Sequence, residues 1–137
     1  MSKIKVGDKI NKKYKVLLEE IKKFSNLTKD MHLLHRNKIF ANSKGFEDVV
    51  VNGAYITSLA TGLVAKKFIN QNSILRSVSF KFIRPITINK NFKILAEVAS
   101  VNNRHNILNI TILVIDNTNS KKIFAKGSIE IKQQNNL

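Results

Sequence analysis

The sequence predicts an α+β fold in which an antiparallel sheet wraps around one long buried helix. Three observations predict it. Residues 53–69 carry apolar side chains at helical spacing and no charged residue before Lys66. Four later segments alternate apolar and polar residues, as strands do when one face is buried. The connectors between the last three segments are rich in asparagine, which suits hairpin turns.

A first, amphipathic helix is predicted over residues 16–27. Its apolar residues recur at intervals of three and four, and lysines occupy the opposite face. The apolar positions are Val16, Leu17, Ile21, Phe24 and Leu27. Residues 42–45, Asn-Ser-Lys-Gly, have the composition of a turn.

The central helix, residues 53–69, places most of its large apolar side chains on a wide stripe. These are Ile56, Leu59, Ala60, Leu63, Val64 and Phe68. The positions around the stripe are small residues or short hydroxyls. We therefore expect other structure to cover most of the circumference of this helix.

The covering structure is predicted to be four strands, at residues 73–86, 91–103, 105–116 and 121–132. Their short connectors favour an antiparallel meander, and Pro85 stands at a strand end, where proline is tolerated. A sheet around a single long helix is the hot-dog arrangement. Such a sheet leaves free edges, and a homodimer that continues the sheet across a two-fold axis would cover them. We therefore expect a homodimer or a higher homo-oligomer.

Length and composition predict a single domain over residues 1–137, with a polar tail at about 133–137. No apolar run approaches the roughly 20 residues of a membrane span, and the N-terminus lacks the apolar core of a signal peptide. We expect a cytoplasmic protein without a membrane partner. The absence of cysteine excludes disulfides, thiolate nucleophiles and cysteine-ligated metal sites.

The net charge of +15 favours anionic partners. Lysine far outnumbers arginine, which stands at only four positions, whereas nucleic-acid readers usually depend on arginine forks and stacked aromatics. We therefore do not expect nucleic acid to be the partner. A lysine-rich solvated surface explains the charge equally well.

The stretch between the two helices contains an aspartate and two histidines within six residues, Asp30, His32 and His35. Asp30 and His35 could act together as an acid–base pair. Alternatively, Asp30 is a turn carboxylate that accepts hydrogen bonds from backbone amides. A third possibility is a metal face made of all three side chains, although neighbouring loop residues rarely supply a complete ligand set. We expect no metal and no cofactor.

These residues, taken with others along the chain, resemble the MaoC-like hydratases, a hot-dog family that includes (R)-specific enoyl-CoA hydratases. The resemblance covers almost the whole chain. It includes Val6-Gly7-Asp8, Ile21, Phe24, the five-residue separation of Asp30 and His35, Ala41, Gly45-Phe46, Gly53 and Phe80-x-Phe82-Ile83-Arg84-Pro85. The family signature, Asp-x-Asn-Pro-x-His followed later by His-Gly, is only partly kept, because Asn-Pro is absent and Asn52 precedes Gly53.

The resemblance implies that Asp30 and His35 are the catalytic pair for reversible hydration of a trans-2-enoyl thioester to an (R)-3-hydroxyacyl thioester. It also implies a hydroxyl at Thr61 that fixes the acyl group or the loop carrying Asp30. The alternative for Thr61 is a bond to the preceding turn of its own helix. Gly53, at the start of the central helix, suits a thioester oxygen because helix-start amides are unpaired.

We place Asn52 beside Gly53 in the oxyanion or substrate-binding region, and Arg84 at the rim. Leu33 and Leu34 would narrow the acyl tunnel. The expected partners are acyl-CoA or acyl carrier protein thioesters, both anionic. Two other functions remain open: a hot-dog acyl-CoA thioesterase, which directs water to the carbonyl carbon, and a non-catalytic acyl-thioester-binding protein.

Overall fold

A computed structural model describes residues 3–134 of the chain. The strands are β1 (Lys9–Lys15), β2 (Ser73–Phe82), β3 (Asn91–Asn102), β4 (Ile107–Asp116) and β5 (Ile123–Gln133). The helices are α1 (Leu18–Thr28), α2 (Lys38–Ser43) and α3 (Gly53–Phe68), with a 3-10 turn at Leu33–His35. The two predicted helices and four predicted strands are present, with ends displaced by a few residues. The tail predicted at about 133–137 lies largely outside the described residues.

The five strands form one antiparallel sheet in the order β1-β3-β4-β5-β2. The predicted meander is correct for β3, β4 and β5. It is wrong for β2, which pairs with β5 at the far edge and not with β3. The place beside β3 is taken by β1, a strand that the sequence analysis did not predict.

Strand β1 has a weak strand pattern because lysine and asparagine occupy most of its positions. Its sequence is Lys-Ile-Asn-Lys-Lys-Tyr-Lys, and only Ile10 and Tyr14 pack against the core. Charged residues on an edge strand discourage pairing with a further chain. Local composition therefore concealed a strand whose partner, β3, lies about 80 residues later in the sequence.

Helix α3 packs its apolar face against the sheet. Its buried side chains are Ile56, Ala60, Leu63, Val64 and Phe68, and they join inward-facing residues of β3, β4 and β5 in one core. Ala54, Ser58 and Gly62, on the other side of the helix, are exposed in the single chain. Most of the helix circumference is thus covered, as expected, and the stripe of these three small residues is left open in the single chain. No helix within residues 3–134 is long and apolar enough to span a membrane.

Candidate active site

The segment that carries Asp30 begins where α1 ends. Lys29 ends the helix in the left-handed conformation, with φ of 64°, which turns the chain away from the helix axis. Asp30 follows in an exposed loop, and its backbone N–H donates weakly to the Thr28 hydroxyl at 3.4 Å. The turn therefore sends the chain from α1 into the 3-10 turn that holds His35.

The 3-10 turn was not predicted, and two long-range hydrogen bonds hold it in place. The Val50 N–H donates to the Leu34 carbonyl at 3.0 Å. The His35 ring Nδ1 lies 2.7 Å from the Val50 carbonyl oxygen. A carbonyl oxygen only accepts, so Nδ1 carries the proton and donates it. In the neutral ring, Nε2 is then left as an acceptor for water or substrate.

Val50 is held in turn by a short antiparallel pairing between residues 49–51 and 86–88. The Val51 N–H donates to the Ile86 carbonyl at 2.8 Å, and the Ile88 N–H donates to the Val49 carbonyl at 3.0 Å. Val50 also forms a β-bridge with Thr87. The imidazole of His35 is therefore anchored to buried backbone and not to its exposed loop.

Gly53 begins α3, and its N–H points out of the first turn. The first amides of a helix have no partner within the helix, and no acceptor for this amide is found in the described part of the chain. The ring of Phe82 lies close above Gly53. A Cβ added to Gly53 would stand 2.8 Å from Phe82 Cε2, so a glycine is needed for this close approach.

A cavity of about 330 Å³ joins His35, Gly53 and the end of β2. Its lining is otherwise mainly apolar: Val50, Val51, Ile56, Phe82, Ile83, Arg84, Pro85 and Ile86. Arg84 is exposed at this lining, and its Nη1 donates to the Ile123 carbonyl at 2.8 Å. Larger cavities of 530 and 550 Å³ lie at the far end of α3 and along β1, β3 and β4, but they contain neither Asp30 nor His35.

Asp30 is linked to the start of α3 through Asn52, the residue before Gly53. The Asn52 side-chain Nδ2 donates to Asp30 Oδ2 at 3.0 Å, and the His32 N–H lies 3.4 Å from Asp30 Oδ1. The hydrogen bond from Asn52 is the main cause that lowers the pKa of Asp30, with smaller contributions from the His32 amide and the His35 and His32 rings. Asp30 is exposed and is not among the residues lining the cavity.

Two other predicted site residues are placed differently from His35 and Gly53. Asn52 is only 1% exposed, and its side chain contacts Asp30 without lining the cavity. The Thr61 hydroxyl donates to the Thr57 carbonyl at 2.8 Å, which is the bond within its own helix that the sequence analysis gave as the alternative. Leu33 and Leu34 are likewise outside the cavity lining.

His32 has a structural role in the turn. Its Nδ1 accepts the Leu34 N–H at 3.0 Å, and its ring packs edge-on against Phe40. Across residues 3–134, no three histidine, aspartate or glutamate side chains are arranged to hold a metal ion. The metal face considered for Asp30, His32 and His35 is therefore not formed there.

Comparison with known proteins shows which family the chain belongs to. Residues 3–119 match the family model described as "MaoC like domain". The chain belongs to the MaoC-like family. The match covers most of the sequence, so the resemblance and the hot-dog fold predicted from the sequence are confirmed. The expectation that the chain is an enzyme of hydratase type is supported by the same match.

Individual MaoC-like relatives are similar over most of their length. The (R)-specific enoyl-CoA hydratase of Aeromonas caviae is 26% identical over 108 residues, which cover 79% of this chain and 81% of that protein. The solved (R)-hydratase from A. caviae superposes with a TM-score of 0.88 at 22% identity, covering 97% of this chain and 99% of that one.

Two further solved structures show the same fold. An R-hydratase from Pseudomonas aeruginosa has a TM-score of 0.85 at 18% identity, covering 97% of this chain and 84% of that one. A (3R)-hydroxyacyl-ACP dehydratase complex from Mycobacterium tuberculosis has a TM-score of 0.79 at 15% identity, covering 92% and 96%.

Sequence reasoning missed the groups that hold His35 and Asp30 in place. The Val50 carbonyl that fixes the His35 ring is a backbone atom in an apolar run, and no local signal indicates it. The contact between Asn52 and Asp30 spans 22 residues and was also not predicted. Phe82 was noted only as part of the resemblance. Its large aromatic ring is a signal that it packs against another element, which is the start of α3 at Gly53.

Proposed function

We propose that this MaoC-like protein hydrates trans-2-enoyl thioesters to (R)-3-hydroxyacyl thioesters and catalyses the reverse dehydration. The observation that carries the proposal is the shared cavity. His35, with its Nδ1 committed to Val50, lines the same cavity as the helix-start amide of Gly53. Asp30 is joined to the start of the same helix through Asn52.

Hydration requires a base for water, a proton for the α-carbon and stabilisation of the enolate oxygen. In the proposed reaction, Asp30 and His35 bind one water molecule between them. The carboxylate removes a proton as the water oxygen bonds to the β-carbon. The α-carbon receives a proton from the same pair, so the sum of the steps is addition of one water molecule.

The thioester oxygen is assigned to the Gly53 amide. An unpaired N–H at a helix start is a preorganised donor, reinforced by the helix dipole. Such a donor is typically worth about 3 kcal/mol in a transition state. The reaction needs no metal or redox cofactor, since the proton transfers and the oxygen contact are made by protein groups.

We assign Arg84 to the rim of the site, where the anionic carrier would arrive. Its guanidinium is exposed at the cavity lining and is oriented by the Ile123 carbonyl. Coenzyme A and acyl carrier protein both carry a phosphopantetheine arm, so either fits this charge. Binding that depends on Arg84 should weaken as salt is raised.

We also propose that the working form is a homodimer built on the free edge of β2. Strand β2 exposes Ile74, Leu75, Val78 and Phe82, each between 39% and 48% accessible. Such an edge favours pairing with a second strand.

The single-domain organisation and the cytoplasmic location remain predictions from length and composition.

The test is turnover of a short trans-2-enoyl-CoA. Hydration removes the conjugated absorbance and releases no thiol, whereas a thioesterase releases thiol and a binding protein does neither. We expect hydration by the wild type. Asp30→Asn and His35→Ala should each lower kcat/KM by several orders of magnitude while leaving the fold intact by circular dichroism.

The matched control is His105→Ala, which removes an exposed histidine in the β3–β4 turn. It should retain wild-type turnover. Full activity in both site variants would refute the assignment of the pair, and thiol release by the wild type would refute hydration itself.

A further inference from the structure

The side-chain hydrogen bonds of Asn52 are unusual for a residue at the start of a helix. It occupies the cap position immediately before α3, where asparagine normally accepts an N–H from the first turn. Its side chain makes no such bond. Instead, Nδ2 donates to Asp30 at 3.0 Å, and Oδ1, although buried, has no donor in residues 3–134.

This arrangement of the Asn52 side chain lowers the stability of the fold. A buried acceptor without a donor loses its hydration, and a helix without its side-chain cap leaves amides unpaired. A serine at the same position would cap the helix and bury less polar surface. Among the described residues, the one bond that the Asn52 side chain gains by its present orientation is the bond to the Asp30 carboxylate.

Asp30 depends on that bond because, within residues 3–134, no other group donates a hydrogen bond to its Oδ2 atom. The carboxylate is exposed, and Oδ1 receives only the long contact from the His32 amide. The titratable groups that act on it are His35 and His32, both on the neighbouring turn. Position 32, where the family signature has asparagine, carries a histidine whose ring is turned to the Leu34 amide.

We propose that Asn52 is a positioning residue. Its amide fixes the orientation of the Asp30 carboxylate and stabilises its charged form, so that the site keeps its base to lower pH. The effect of Asn52 on catalysis rests on the proposed function. Its effect on the orientation and ionisation of Asp30 does not. It replaces the oxyanion or substrate-binding role expected for Asn52, since the side chain does not line the cavity.

Asn52→Ser is the decisive variant. Serine suits the cap position of α3, so the fold should be kept or improved, but its side chain is too short to reach Asp30. Asn52→Asp is a second variant that also caps helices and places a carboxylate against Asp30. Asn37→Ala is the matched control, because Asn37 is a true helix cap, donating nothing to Asp30 and accepting the Phe40 N–H at 2.8 Å.

The first readout is an NMR titration of the Asp30 carboxyl carbon in ¹³C-labelled protein, which needs no turnover. In Asn52→Ser the midpoint should move upward from the lowered wild-type position toward the ordinary aspartate value, and in Asn52→Asp it should move further. Asn37→Ala should titrate as the wild type does. An unchanged midpoint in folded Asn52→Ser and Asn52→Asp overturns the proposal.

The second readout is the pH profile of kcat/KM for hydration. The ratio of wild-type to Asn52→Ser activity should grow as pH falls, because the variant loses its ionised base at a higher pH. An equal loss at every pH, with an unchanged titration, would mark Asn52 as merely structural and refute its positioning role.

The two proposals can fail separately. A shifted titration in Asn52→Ser, combined with no hydration by the wild type, supports the role of Asn52 and refutes the proposed reaction. Hydration by the wild type with an unchanged titration refutes the role of Asn52 alone.

Discussion

At the scale of single residues, the atoms that the candidate site can offer to a ligand are those that are not already hydrogen-bonded within the protein. His35 can offer only Nε2 to a substrate, because Nδ1 donates to Val50. Gly53 can offer its amide closely because it has no side chain to occupy the space under Phe82. Replacing individual glycines by alanine therefore tests which of the neighbouring contacts can move to make room for a methyl group.

The prediction for glycine concerns three Gly→Ala variants measured by urea unfolding. Gly127→Ala should destabilise by about 1–3 kcal/mol, because its Cβ would lie 2.6 Å from the Ser79 backbone oxygen, which cannot move freely. Gly62→Ala, in open space on α3, should stabilise by up to about 1 kcal/mol. Gly53→Ala should change stability little, because the clashing Phe82 ring is 48% exposed and can swing aside.

Gly53→Ala should instead lower kcat/KM for hydration at least tenfold, since the added methyl group lies next to the amide assigned to the thioester oxygen. Gly62→Ala serves as the activity control and should turn over normally. Wild-type kcat/KM in Gly53→Ala would show that the thioester does not approach this amide.

At the scale of secondary-structure elements, a hydrogen bond between two helices keeps the start of α3 in place. The Tyr55 hydroxyl of α3 donates to Glu20 Oε2 of α1 at 2.7 Å, and the Tyr55 ring packs edge-on against Phe24. Glu20 Oε1 also accepts the Leu17 N–H at 3.1 Å, at the start of α1. One carboxylate thus joins the N-terminal turns of both helices.

Tyr55→Phe should destabilise the fold by about 1 kcal/mol, because it removes a hydrogen bond to a charged acceptor in a half-buried position. Tyr14→Phe is the matched control. Its hydroxyl makes no hydrogen bond to any other described residue, although its ring stacks on Phe92. Urea unfolding at neutral pH measures both variants, and equal losses would contradict the role of the Glu20 bond.

The same bond predicts a response to alkaline pH. Burial, together with Glu20, raises the pKa of Tyr55 from 10.0 to about 12, so the folded state favours the neutral phenol. This contribution to stability is complete below about pH 10 and is lost as pH rises through about 12. The free energy of unfolding should fall less steeply across that window in Tyr55→Phe than in wild type, while Tyr14, whose pKa burial also raises, contributes in both proteins.

At the scale of the whole molecule, the two edges of the sheet are unlike. Strand β1 has lysine at four of its seven positions, which discourages pairing. Strand β2 presents apolar side chains at its free edge. A second copy of the chain would therefore add at β2 and not at β1.

Val78→Lys places a charge at the centre of the β2 edge and should convert the proposed dimer to a monomer. Light scattering coupled to size-exclusion chromatography measures the mass at micromolar concentration. Asn11→Lys, which adds the same charge on exposed β1, should remain dimeric. Dissociation by Asn11→Lys, a dimeric Val78→Lys or a monomeric wild type would place the interface elsewhere or exclude it.

The sequence by itself determined the elements whose pattern is repeated locally. Helices α1 and α3 and four strands follow from side-chain periodicity, because burial of one face imposes that spacing on each segment alone. The roles proposed for Asp30, His35 and Gly53 rest on a short motif and the resemblance. Helix α2 and the 3-10 turn were missed because they are too short to show a period.

Only the tertiary structure decided which segments meet. The alternating patterns of β2 and β3 would allow either strand to pair with several other strands. Which strands become neighbours depends on the arrangement of the whole sheet. The contacts that shape the site, His35 with Val50 and Asn52 with Asp30, join residues 15 and 22 positions apart. Such contacts form when packing brings a particular donor to a particular acceptor, and no local pattern records that outcome.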